Sequence, residues 1–474
     1  MTKLLHPSMR RLILRRLRLA LLEKEGGMLM QVLVLIVLFS GLVGLILLLH
    51  LMQYRFIRQD VHRARAEYLA EAGVYAMMDH LQRDPTAWAG VDTLLSVRSE
   101  GDVRVQVEPF GGYLWLRATS RVNRSRAVLQ ALVGQRPGAP YETAIYQWDT
   151  ESSLNVAGEA HVKGDVVVGP RGLITSSFRG FPFTGSVDGT VFTTPDLEPP
   201  VLDLTLLEVT LAQGLTLLAA PPPNSALSLP EGIPPLLQEQ DVHVVPGDLI
   251  LGPADSLFLA SARTVVATGT IEVVGPLSFA PGVRLIAGET MRLSGQIVGR
   301  DGLFIGREGV DLRGVRRCSG QFLSPRLIRV AGATHLDYPS VLYVGGEATD
   351  VDGGLVLADQ AQVDGIVVHP PLEEEPVLRR GRIIVGDQAQ VRGAIVNGHE
   401  TELHGLLEGT LLTYQLYFYD SPSDYVNWLR DATVDVSQRP LEYLVPLGLG
   451  AAETPRLHVL RWYDHHRVDR SSPT

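Results

Sequence analysis

The sequence predicts an α+β protein that is mostly β: one long N-terminal transmembrane and amphipathic helix, a small antiparallel β unit, then an irregular parallel β-helix. Three observations predict it. Residues 28–52 carry no charge. Apolar and polar residues alternate from Val103 to Val107 and from Leu114 to Ala118, the period of a half-buried strand. A D-Q-A-Q-V-x-G phrase recurs without gaps, 28 residues apart, in segments 355–369 and 383–397, the signature of a repeat fold.

Residues 1–27 form a basic leader, with seven Lys and Arg against Glu23 and Glu25. The whole chain has 474 residues and a formal net charge of -10, so the leader is +5 and the remainder -15. A basic flank before an apolar span predicts that the leader stays in the cytoplasm and the bulk is exported. The acidic bulk argues against nucleic acid as a partner. Cys318 is the single cysteine, so no intrachain disulfide forms.

Residues 28–83 read as one continuous helix. Its first half, 28–52, spans roughly 37 Å at about 1.5 Å per residue, enough to cross a bilayer core. The second half is charged but carries an apolar stripe of Ile57, Val61, Ala64, Tyr68, Ala72, Tyr75 and Met78 at three- and four-residue steps. Asp84-Pro85 stops it, because the residue before proline is pushed out of the helical region. Residues 86–140 read as a small β unit packed on the helix, ending in a Pro- and Gly-containing linker from Gln135 to Pro140.

Residues 141–413 read as β-solenoid repeats: short strands turn at glycine, and alternate residues stack on the equivalent residue of the next coil. A Pro-rich insertion at 195–240 interrupts them; its segment 202–220 reads as either an amphipathic helix packed outside the coils or an open surface loop. Residues 414–474 read as an aromatic cap and tail. Tyr417, Tyr419, Tyr425, Trp428 and Leu429 suit a cap over the last coil, with glycan binding as the alternative use of the aromatics. The tail from Pro455 onward is expected to be loosely held.

Two resemblances follow. Glu25-Gly26-Gly27 directly before the apolar run, with YLAEAGVYAMMDHL at 68–81, resembles type IV pilin-like proteins, including the minor pilins. The resemblance covers roughly residues 24–135. It implies cleavage by a prepilin peptidase after Gly26 or Gly27, an anchor helix that later packs in a filament core, and a head sheet resting on the helix. The glutamate that the family usually carries five residues past the cut is replaced here by Gln31 or Val32. Segment 383–413 resembles the bactofilin β-helix, which implies self-association through the solenoid.

A search for chemistry is negative. No G-x-S-x-G, Walker loop, H-E-x-x-H or C-x-x-C is present, so the expectation is a non-enzyme with no cofactor and no metal. His399, Glu400, Glu402 and His404 read as a solvated strand face, Asp350 and Asp352 as a turn, Asp464-His465-His466 as a weak metal candidate, and Cys318 as a buried thiol. The expected function is a membrane-anchored structural or assembly protein of a type IV pilus-like or secretion filament system, a minor pilin or surface adhesin. It would sit single-pass in a bacterial inner membrane with its bulk periplasmic or extracellular. Its expected partners are the bilayer, pilin-like subunits or further copies of itself, and a surface glycan. The alternatives are an unprocessed, self-associating scaffold and, lower, an exported polysaccharide-binding or polysaccharide-cleaving β-helix.

Overall fold

The computed structural model describes residues 27–83, 90–97, 101–219, 226–227, 242–260, 264–345, 354–370, 382–440, 443–450 and 455–464. They fall into two compact units. One takes in the helix as far as Ala72 with Ser96–Val103 and Thr119–Val128; the other takes in Gly73–Leu95, Arg104–Ala118 and everything described from Leu129 onward.

Helix α1, Gly27–Arg83, is uninterrupted. No side chain described between Met28 and Val61 is buried. The buried side begins at Ala66 and continues through Leu69, Ala70, Val74, Met77, Met78 and Leu81. The stripe expected from the sequence is therefore on the wrong face: Ile57, Val61, Tyr68 and Tyr75 are exposed, Tyr68 by 69%, and only Met78 of the larger members is buried. The buried face sets the small Ala66 and Ala70 among the larger Leu69, Val74, Met77, Met78 and Leu81. The Ser120 hydroxyl donates to the Ala66 carbonyl, an approach that a bulky side chain on that face would block.

Strands β1 (Val91–Val97), β2 (Gly101–Phe110), β3 (Tyr113–Val122) and β4 (Ser125–Gln135) lie in that order in one sheet, with Leu457–Asp464 as its fifth strand. Val103, Val105 and Val107 on β2 and Leu114, Leu116 and Ala118 on β3 are buried, as their alternation requires. The fifth strand corrects the expected loose tail as far as residue 464: Leu457 pairs Gln135 and Asp464 pairs Leu129, antiparallel to β4, and residues 465–474 lie outside the described residues. The expected linker is held too, since the Arg136 amide donates to the Arg456 carbonyl at 2.9 Å and Gly138 to Gly450 at 2.7 Å.

Apart from Ser423–Val426, which pairs antiparallel with Tyr417–Asp420, the remaining strands wind into a parallel, solenoid-like stack with three sides. Coil length is irregular: Gln362 pairs Gln390, 28 residues on, and Gln390 pairs Leu406, 16 residues on. On the first side an internal ladder runs through Leu285, Phe304, Phe322, Leu342, Val367, Ile395 and Leu411, all buried in one apolar core. The glycine of the repeated phrase has a steric cause. A Cβ on Gly393 would lie 2.0 Å from the Gly365 carbonyl oxygen, and one on Gly409 would lie 1.8 Å from that of Gly393.

The stack does not follow chain order. Leu411 pairs Ile145 and Thr433 pairs His161. From there Val166 pairs Val191 and His161 pairs Ser186, which ends this arm of the stack among the described residues. The chain therefore enters the stack at an inner coil and runs outward to Thr193. It then resumes at the other end with Ala226–Leu227, which pairs His243 and Val244 of the strand Val242–Val245, and winds back to Asp435. This corrects the aromatic end cap: Leu406–Asp420 runs through residue 414, and Thr433–Asp435 lies between two coils rather than beyond the last.

The outward residues of the first side are also apolar. Val266, Ile286, Ile305, Leu323 and Tyr343 form a second core with Phe110, Tyr113, Tyr443, Val445 and helix α2, Thr205–Ala219. Of the two readings of 202–220, the structure has the packed helix. The Asp203 carboxylate accepts the Thr205 amide at 3.0 Å and caps its start. Gly214 lets it lie close, as a Cβ there would be 2.5 Å from Ile305 Cδ1.

Candidate functional site

The groups singled out for chemistry are mostly occupied. Glu400 and Glu402 are buried, not a solvated face. Arg382 bonds both, at 3.0 and 3.4 Å, while its guanidinium lies 3.6 Å from the centre of the Tyr417 ring. His404 Nε2 is 2.9 Å from Glu402, which raises its pKa. The side chains of Arg382 and His404 close over these carboxylates, so the solvated reading fails. His399 points the other way and packs edge-to-face on His369, with ring centroids 5.1 Å apart. Burial pushes His369 down to about 4 and lowers His399 as well. Cys318 is buried, and burial pushes its thiol up. No group of three or more metal-ligating side chains occurs among the described residues. Gly27 opens α1; Gly26, Asp350, Asp352, His465 and His466 lie outside the described residues.

The expected cap aromatics surround a site that the sequence did not indicate. Phe178-Arg179-Gly180-Phe181 forms a two-residue turn: Phe178 and Phe181 exchange both backbone hydrogen bonds at 2.9 Å. Arg179 and Gly180 take φ of +47° and +85°, the requirement of a type I′ turn. Phe178 is buried against Phe418, Tyr425 and Trp428, with ring centroids 5.5, 5.0 and 5.6 Å away. Arg179 fastens the turn through a 3.0 Å ion pair with Asp420 and bonds to the Asp420 and Ser421 carbonyls. Phe181, on the other arm, is 72% exposed.

Beneath Phe181 lies a cleft of about 440 Å³, bordered by Glu159, Phe178, Phe181, Thr184, Arg430 and Asp431. Arg430 lies 4.4 Å from the Phe178 ring centre and pairs Asp431 at 2.8 Å. Asp431 Oδ1 accepts the Glu159 amide, also at 2.8 Å. The site joins residues 158–184 to 418–431, brought together because Trp428 pairs Asn155 in adjacent coils.

No protein-family model and no curated protein matches the chain. Among solved structures, the competence-associated pilin ComZ from Thermus thermophilus is similar at 12% identity, over 85% of this chain and 98% of that one, with a TM-score of 0.19. At that score the similarity says nothing of the arrangement of the coils or of function.

Proposed function

We propose that the protein is a membrane-anchored structural component of a type IV pilus-like or secretion filament system, a minor pilin or surface adhesin that displays a β-solenoid beyond the inner membrane. The observation that carries this reading is helix α1. No described side chain of its apolar half is buried, and an 18-residue window there has a mean hydropathy of 3.2, which in water has no favourable state. The same unbroken helix then carries an apolar face buried from Ala66 to Leu81. In this reading residues 28–52 rest in lipid, the basic leader stays in the cytoplasm, and Gly26 or Gly27 is the processing position. Edman sequencing of the detergent-extracted protein tests it: a new terminus at Gly27 or Met28 supports pilin-type maturation, and an intact leader contradicts it.

A second reading, an unprocessed scaffold that self-associates through its solenoid, has one observation in its favour. Among the described residues, strands Ser186–Asp188 and Val191–Thr193 each pair on one side only, and Phe192 beside that edge is 48% exposed. Unpaired strand edges are templates for further pairing. The intact leader, together with concentration-dependent assembly, is its expected signature.

A further inference from the structure

We infer that the cleft under Phe181 binds a neutral saccharide, through one sugar ring stacked on Phe181 and hydroxyls bonded to Glu159 and Asp431. The inference stands apart from the anchor and does not rest on it. Its first ground is presentation. A single exposed aromatic on a loose loop is unremarkable, but Phe181 is carried on a turn closed by two backbone bonds and tied down by Arg179 and the buried Phe178. A ring carried on a fixed backbone has only its side-chain rotation left to lose when a ligand stacks on it.

The second ground is the chemistry of the lining. The floor combines an aliphatic-compatible ring face with carboxylate acceptors at Glu159 and Asp431, guanidinium donors at Arg430 and a hydroxyl at Thr184. That mixture suits a molecule with an apolar C–H face and a rim of hydroxyls, each both donor and acceptor. Charge narrows it further. Glu159, Asp420 and Asp431 oppose Arg179 and Arg430, leaving a net of about -1 with both arginines engaged by carboxylates. No unpaired cation waits for an acidic sugar or phosphate. The volume of about 440 Å³ falls within the usual range for small-molecule sites.

The test is a glycan array of neutral and acidic oligosaccharides probed with the full chain in detergent, followed by calorimetric titration of any retained neutral glycan. Wild type is expected to retain at least one neutral hexose or N-acetylhexosamine oligomer. Phe181→Ala is expected to weaken it at least tenfold and Glu159→Gln roughly threefold to tenfold. Both side chains are exposed, so the thermal midpoint should stay within about 1 °C of wild type in either variant. Retention of acidic glycans alone, retention of none, or equal binding by Phe181→Ala would overturn the proposal. Phe181→Ala should also fractionate with membranes as wild type does, so failure of the anchor reading would be seen separately.

Discussion

Gln321 shows how single side chains fasten the sheet to the coils. Its amide donates to the Phe110 carbonyl and accepts the Gly112 amide, both at 2.6 Å and buried, so it grips the tip of the β2–β3 turn from a solenoid coil. Gln321→Ala leaves two buried backbone groups unpaired and should cost about 2 kcal/mol, read as a lower thermal midpoint in detergent. Arg461 does the same for the fifth strand, bonding Asp301 at 2.8 Å and the Tyr338 carbonyl at 3.0 Å. Asp301 is almost wholly buried, and burial raises its pKa against the pull of Arg461. Arg461→Ala strands that carboxyl and should cost about 3 kcal/mol, with Arg461→Lys recovering part of it. The His369–His399 pair gives the pH dependence. Both are held neutral in the fold, His369 with its pKa near 4, whereas the unfolded chain takes up protons below about 6.5. The pair's contribution to stability should be level above that pH, fall between about 6.5 and 4, and level off below. His369 contributes at most about 3 kcal/mol to the fall. His369→Phe should flatten the melting profile across that interval; an unchanged slope would contradict the assignment.

At the scale of elements, α2 is the clearest case of packing set by one position. Gly214 lies against Ile305 over the apolar outer side of the coils. Gly214→Val should lift the helix and cost about 2 kcal/mol through overpacking, with increased binding of a hydrophobic dye as Leu207 and Leu211 are uncovered. Much at this scale was legible in the sequence. The extent of α1 and the alternation on β2 and β3 follow from local periodicity, and the glycine of the repeated phrase shows by its recurrence although the carbonyl that requires it belongs to the neighbouring coil. The buried face of α1 was misread because Tyr68 and Tyr75 also recur at helical spacing, and the sequence alone does not choose between their stripe and the one through Ala66, Leu69, Ala70, Met77 and Leu81 that is buried. The fifth strand was missed because LHVLRWYD alternates only weakly.

For the whole molecule, the order of the coils was beyond reach of the sequence. Ile145 stacks on Leu411, and no local pattern reports a pairing between strands so far apart in the chain. The cleft was hidden for the same reason: its two halves meet only once that stacking is known, and its one local signal was the turn chemistry of Phe178-Arg179-Gly180-Phe181. The arrangement returns both connections of the solenoid to the sheet, one through β4 and one through Leu457–Asp464, which pair with each other. Removing residues 455–474 should therefore destabilise sheet and coils together, giving a lower and broader melt instead of trimming a free tail. The account rests most heavily on the exposed apolar half of α1. Alkaline carbonate extraction of membranes from cells making the full chain tests it directly: the protein should stay in the pellet and enter solution only with detergent, and recovery of the intact chain in the carbonate supernatant would contradict it.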